Sequence, residues 1–221
     1  MLARASTADR PPMEHTKPRT RKQLVDVRIP TVVVFVRTPL RAIDPELVGN
    51  GIHERLTALT SLLHPQQAEP PDKVLERIRV ESLGDDSLTI RWRPARTRFP
   101  LQVDLVTGRR FRSRTTHQLA TLKRCVNLGD YSDAQAGPIR NVLAHAIECV
   151  GFYLSPVDRR GMGWPVAIAA AAKLAEVGNG VIGTSDSGWM VPDGYAVRWI
   201  LRRTTRHRRQ GVFAARAPRE T

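Results

Sequence analysis

Aromatic residues are scarce in this chain of 221 residues, where they make up 5% of the sequence and hydrophobic residues together make up 41%. The core must therefore consist mainly of aliphatic side chains and alanine. Cysteine is rarer still, with only Cys125 and Cys149, which are too far apart for a CxxC motif. This pattern indicates neither a disulfide framework nor a zinc site of paired cysteines, and it favours free thiols in a reducing cytoplasm.

Long apolar runs are also missing. The longest, Trp164 to Ala172, is much shorter than the roughly 20 residues that a bilayer-spanning helix needs. The N-terminal segment carries no apolar stretch of the kind found in secretory signals. We therefore expect a soluble, cytoplasmic protein without a transmembrane segment.

Sequence motifs for known chemistry are absent as well. The chain contains no Walker motif, no dinucleotide-binding fingerprint and no Gly-x-Ser-x-Gly elbow. His145, Glu148 and Cys149 would lie close together on a helix, but a half-buried helix face explains them better than a metal site. We expect no catalytic residues, no cofactor and no metal.

Positive charge is abundant and unevenly placed. The formal net charge is +14, of which residues 1–28 contribute +4 and residues 198–221 contribute +7. Both ends are polar and basic, so they cannot bury enough apolar surface to offset the entropy of ordering. We therefore expect residues 1–28 and 202–221 to be disordered extensions of one domain, residues 29–201.

Hydrophobic periodicity predicts an α+β fold. The run TVVVFV at residues 31–36 is continuous and β-branched, which is typical of a central strand covered on both faces. Alternating patterns from about 73 to 115 predict an antiparallel meander. Apolar stripes at helical spacing predict helices near residues 52–63, 138–154 and 165–177. Because strands outnumber helices and are clustered, α+β is favoured over a doubly wound sheet.

The third of these helices organises the prediction for the rest of the chain. Pro165 suits a first helical turn, and Gly178-Asn179-Gly180 supplies a helix stop before the strand that begins at Val181. Only Lys173 and Glu176 are charged within it. A helix that is apolar on nearly every side must be covered on nearly every side, so we expect the fold to wrap it.

This C-terminal unit, LAEVGNGVI followed by a turn and a tryptophan, resembles small bacterial α+β proteins of poorly known function, some of them associated with toxin–immunity loci. The matching residues are Leu174, Ala175, Glu176, Gly180, Val181, Asp186 and Trp189. The resemblance implies a non-enzymatic binding role. We accordingly expect a non-catalytic binding protein that acts on a protein partner, with an immunity-like role as one candidate.

Arginine-rich segments support an alternative, a nucleic-acid-associated protein that uses an arginine-rich hairpin and a basic tail. Arginine binds phosphate groups bidentately, and the interleaved Trp92, Phe99 and Phe111 could stack on bases. A solvated strand face, with arginine stems covering apolar surface, would give the same pattern. The candidate nucleic-acid residues are Arg91, Arg93, Arg96, Arg98, Arg109, Arg110, Arg112 and Arg114 around the hairpin, and Arg202, Arg203 and Arg206 in the tail.

Overall fold

A computed structural model describes residues 30–60, 69–92, 100–155, 161–185 and 188–202. The extension predicted at residues 1–28 lies outside the described residues, and so does all of the extension predicted at residues 202–221 except Arg202. The described residues form the strands β1 (Val32–Val36), β2 (Arg79–Gly84), β3 (Ser87–Arg91), β4 (Leu101–Val106), β5 (Glu148–Tyr153), β6 (Val181–Thr184), β7 (Trp189–Asp193) and β8 (Ala196–Leu201). The helices are α1 (Pro45–Thr60), α2 (Pro71–Leu75), α3 (Gly108–Asn127), α4 (Asp133–His145) and α5 (Gly163–Val177).

The predicted α+β class is confirmed, because the strands form one antiparallel sheet with helices on both faces. The strand order is β2-β3-β4-β5-β1-β6-β7-β8, so β1 is an interior strand between β5 and β6. All five residues of β1 are buried. Val32, Val34 and Val36 join one hydrophobic core, and Val33 and Phe35 join a second core on the opposite face. The prediction of a central strand covered on both faces is therefore confirmed.

Helix α5 lies inside the first core, as its composition predicts. Eleven of its fifteen residues are buried, and every residue from Ala167 to Ala172 has 0% exposure. It packs on β1, β6, β7 and β8, while α1 lies along its other side. Helix α1 also touches both β2 and β8, which are the two edge strands of the sheet. The sheet therefore curls around α5, and α1 bridges its edges.

A small network of charged side chains joins α1 to α5. Arg55 of α1 is only 2% exposed. Its guanidinium donates to Glu54 at 2.6 Å and to Glu176 at 2.7 Å. Lys173 of α5 donates to the same Glu54 carboxylate at 3.0 Å. The hydrogen bonds to Lys173 and then Arg55 hold the pKa of Glu54 below its usual value, so this carboxylate is charged at neutral pH.

The second face of the sheet carries α3 and α4. Phe111, Leu122 and Cys125 of α3 pack into a core that also contains Ile139 and Leu143 of α4. Helix α4 begins with a capping box in which Ser132 and Gln135 satisfy each other's backbone N–H groups. No helix in the described ranges is both long enough and apolar enough to span a membrane.

Three predicted elements are wrong in part. The helix predicted near 138–154 ends at His145, and residues 148–153 form β5 instead. The apolar residues of this segment fit both the helical and the strand periodicity. The segment forms a strand because it pairs with both β1 and β4. The helix predicted near 52–63 begins earlier, at Pro45, and passes straight through Gly49 and Gly51. In the meander predicted from about residue 73, the first strand starts only at Arg79, after the short helix α2.

The close approach of Gly180 to β1 gives a testable prediction. A Cβ at Gly180 would lie 2.1 Å from the backbone oxygen of Phe35, whereas a Cβ at Gly49 in α1 would make only an ordinary contact of 3.8 Å with the side chain of Val80. We expect Gly180→Ala to lower the free energy of unfolding by about 2 kcal/mol or more, because backbone must move. Gly49→Ala should raise it by roughly 0.5 kcal/mol, because alanine is the better helix former. Urea denaturation of both variants measures this, and equal midpoints would contradict it.

Candidate nucleic-acid interface

The arginines from Arg109 to Arg114 lie in a helix, which corrects the prediction that they gather at the end of a hairpin. Strand β4 ends at Val106, and α3 begins at Gly108, whose φ of 59° lets the chain turn sharply. Thr107 and Gly108 thus form the start of a helix and not the turn of a hairpin. The helix forms because Phe111, Leu122 and Cys125 give it one apolar side that packs against the sheet and α4.

The outward side of α3 is basic along its length. Arg109, Arg110, Arg112, Lys123 and Arg124 are all exposed. The sequence has no acidic residue from 105 to 129, and none of the five makes an ion pair within the described part of the chain. We call these five residues the α3 basic face. They form a cationic surface that the protein itself leaves unbalanced.

The first turns of α3 concentrate this charge where a helix tolerates it least. The N-terminus of a helix carries a partial positive charge, so acidic residues stabilise it and basic residues do not. Helix α3 has no acidic residue in its first turn, and the side chain of its N-cap Thr107 makes no capping hydrogen bond. Arg109, Arg110 and Arg112 therefore add to a positive potential that an external anion would relieve.

Arg114 is separated from the other arginines because it turns inward. Its Nη2 donates to the hydroxyl of Tyr153, and its guanidinium lies 5.8 Å from the centre of that ring. Burial is the largest single effect and opposes its charge, but the interactions with Tyr153 and Cys149 together outweigh burial and raise the pKa of Arg114. A Cβ at Gly151 would lie 2.7 Å from Nη1, so this glycine provides the space for the guanidinium. Arg114 anchors α3 to β5 and does not belong to the exposed face.

Cys149 lies beneath Arg114 and is not a reactive thiol. It is fully buried, and burial raises its pKa to about 11 although Arg114 acts in the opposite direction. His145, Glu148 and Cys149 do not lie on one helix face as a metal site at this spacing would need, because α4 ends at His145 and β5 begins at Glu148. The Glu148 carboxylate instead accepts a hydrogen bond of 3.0 Å from the backbone N–H of Leu40.

Of the other candidate arginines, the structure describes Arg91 and Arg202, which lie near opposite edges of the sheet. Arg91 is exposed on β3 and lies 3.5 Å from Glu81 in an ion pair. Arg202 follows β8, where its guanidinium lies 5.6 Å from the centre of the Trp199 ring. Six strand steps, about 29 Å along the sheet, separate β3 from β8. The remaining candidates, Arg93, Arg96, Arg98, Arg203 and Arg206, lie outside the described residues.

Lys123 and Arg124 were not among the predicted site residues. The signal was present, since Leu119, Leu122 and Val126 already predict a short helix there. Extending that periodicity upstream through Phe111 would have placed Lys123 and Arg124 on the same side as Arg109 and Arg112. The predicted hairpin prevented this extension.

Among the described residues, no three or more histidine, cysteine, aspartate or glutamate side chains cluster closely enough to hold a metal ion. Comparison of the chain with protein-family models, with curated proteins and with solved structures finds no match.

The buried thiols give a prediction that tests this view of the α3–β5 contact. Cys125 and Cys149 are 4% and 0% exposed, so neither should react with a disulfide reagent such as DTNB in native protein at pH 8. Both should react in guanidinium chloride, which exposes them. For Cys149 the reason is burial together with a pKa of about 11, which leaves little thiolate at that pH. A thiol that reacts within seconds in the native protein would contradict this.

Proposed function

We propose that this chain is a non-catalytic binding protein that associates with nucleic acid through the α3 basic face. The proposal depends on one observation, which is that five exposed cationic side chains share one helix and have no acidic partner in the described chain. The helix is held rigidly, because its other side is packed against the second core and pinned by Arg114. Fixed positive charge of this kind binds phosphate backbones.

The uncharged residues of the exposed side favour phosphates over a protein surface as the ligand. Between the basic residues it presents Ser113, Thr116, His117 and Ala120, with no large apolar side chain. A protein interface of standard size needs a desolvated centre, which is usually rich in aromatic and aliphatic side chains. Phosphate contacts need only hydrogen-bond donors and positive charge. Four of the five basic residues are arginines, whose planar guanidinium matches phosphate geometry.

Neutralising the first arginines of α3 tests the proposal. We expect Arg109→Gln/Arg110→Gln/Arg112→Gln to weaken binding of the full chain to a labelled DNA oligonucleotide by about tenfold or more. The slope of log K against log salt should also become shallower by up to about 2.7, because each lost phosphate contact removes roughly 0.9. Fluorescence anisotropy at several salt concentrations measures both quantities.

The matched control removes the same net charge from arginines that already pair with acids. Arg77 pairs with Glu69, Arg140 with Asp133 and Arg198 with Asp193. Arg77→Gln/Arg140→Gln/Arg198→Gln should change affinity by less than about threefold, because these charges are locally balanced. If both triple variants weaken binding equally, the effect is one of net charge alone and the α3 basic face is not the site.

A protein partner is the second candidate function, as the resemblance to immunity-associated proteins implies. Strands β2 and β7 run in the same direction as β1, so their hairpin turns lie at the end of the sheet where β1 finishes. Four exposed apolar side chains lie at this end, namely Leu83, Ile147, Val177 and Tyr195, with exposures of 61%, 43%, 48% and 70%. We call them the apolar rim. Apolar and tyrosine side chains of this kind serve as anchors in protein interfaces.

Charged substitutions at the rim test the second candidate. We expect Leu83→Asp/Tyr195→Asp to lose, by about tenfold or more, a partner that the full chain retains at high salt, because apolar contacts resist salt. Leu128→Asp is the control, since Leu128 is 66% exposed but lies at the opposite end of the sheet, in the turn between α3 and α4. Quantitative pull-down compares the three proteins, and equal recovery of the partner by all of them would exclude the rim.

A further inference from the structure

The α3 basic face is divided into two groups. Arg109, Arg110 and Arg112 lie at the start of the helix, and Lys123 and Arg124 lie at its end. In the intervening stretch from 113 to 122 the only formal charge is that of Arg114, which turns inward to Tyr153. The exposed pattern along the helix is therefore charge, neutral gap, charge.

The gap has a definite length. Arg112 and Lys123 are eleven positions apart, and Arg109 and Arg124 are fifteen apart. At a rise of about 1.5 Å per residue, these separations correspond to roughly 16 Å and 22 Å along the helix axis. A single phosphate backbone carries charge every few ångströms and would be matched best by a continuous basic stripe. The two basic groups of α3 and the neutral stretch between them correspond instead to two phosphate backbones with a groove between them.

The width of the gap fits the major groove of B-form DNA. The major groove of B-form DNA is about 12 Å wide and is flanked by phosphates on both sides, so basic groups 16–22 Å apart reach both backbones. The minor groove, about 6 Å wide, is too narrow for this spacing. The major groove of A-form RNA is also narrow and deep. Resting on the proposed nucleic-acid binding, we infer that α3 bridges the major groove of B-form DNA, with one basic group on each flanking backbone.

The side chains that would face the groove determine how strongly binding depends on the DNA sequence. The exposed side chains between the two groups are Ser113, Thr116, His117 and Ala120. They are small or polar, so they do not hold the helix away from the duplex. None is an arginine, asparagine or glutamine of the kind that makes bidentate contacts to a particular base pair. The bridging contact is accordingly one of groove shape and charge, with little sequence preference.

The experiment fills the major groove without changing phosphate charge. The full chain is titrated against a DNA duplex, the same duplex with glucosylated 5-hydroxymethylcytosines, its single strand, and the corresponding RNA duplex. The C5 substituent of a pyrimidine projects into the major groove, so glucose there blocks the bridge. We expect the unmodified DNA duplex to bind about tenfold more tightly than each of the other three probes. The basic chain ends act on every probe, so the affinity ratios report on α3.

Two double variants complete the test. Lys123→Gln/Arg124→Gln removes one end of the bridge and should abolish most of the preference for unmodified over glucosylated duplex. Arg77→Gln/Arg198→Gln removes the same charge elsewhere and should keep that preference. Equal affinity of the wild type for plain and glucosylated duplex, with binding still lost in the Arg109/Arg110/Arg112 variant, would overturn the bridge and leave the proposed function standing. If that triple variant binds the plain duplex like the wild type, both are wrong.

Discussion

The burial of a helix that is apolar on almost every side is the constraint on which this fold depends. Helix α5 has small side chains from Ala169 to Ala172, so neighbouring backbone can approach closely. Helix α1 uses that freedom at Gly51, where a Cβ would lie 2.4 Å from the Cβ of Lys173. Such contact removes apolar surface from water without large side chains. The low aromatic content is thus compatible with a dense core, because close backbone approach replaces side-chain bulk.

Enclosing α5 also explains the order of the strands. Strands β5 and β6 both pair antiparallel with β1, so they run parallel to each other, and α5 is the crossover that connects them. The remaining strands extend this sheet at both edges until α1 can touch both edge strands. The buried Arg55, which holds Glu54 and Glu176, lies where α1 and α5 meet. The side chains of these two glutamates are 37% and 50% exposed. The charge of Arg55 is therefore neutralised at the boundary between the core and the solvent.

Local sequence signals predicted the elements of the first core and failed where partners decide the structure. The residues of β1 and α5 are apolar in runs that admit one interpretation, and both elements were predicted to within a few residues. Residues 148–153 are different, because Val150 continues the helical spacing of Ile139, Val142 and Leu143. Only the presence of β1 and β4 on either side makes them a strand. Similarly, the arginines of α3 suggest the exposed surface of a hairpin. The helix is evident only once Phe111, Leu122 and Cys125 are placed in the second core.

The two faces of the sheet therefore have different physical roles. The face that holds α1 and α5 contains most of the buried apolar residues and accounts for most of the stability. The opposite face has a smaller core, and helix α3 contributes only three buried residues to it, Phe111, Leu122 and Cys125. Charges that oppose the helix dipole and lack partners do not stabilise a fold. Under the proposed function these charges serve the contact with nucleic acid, and the larger core offsets the stability that they cost.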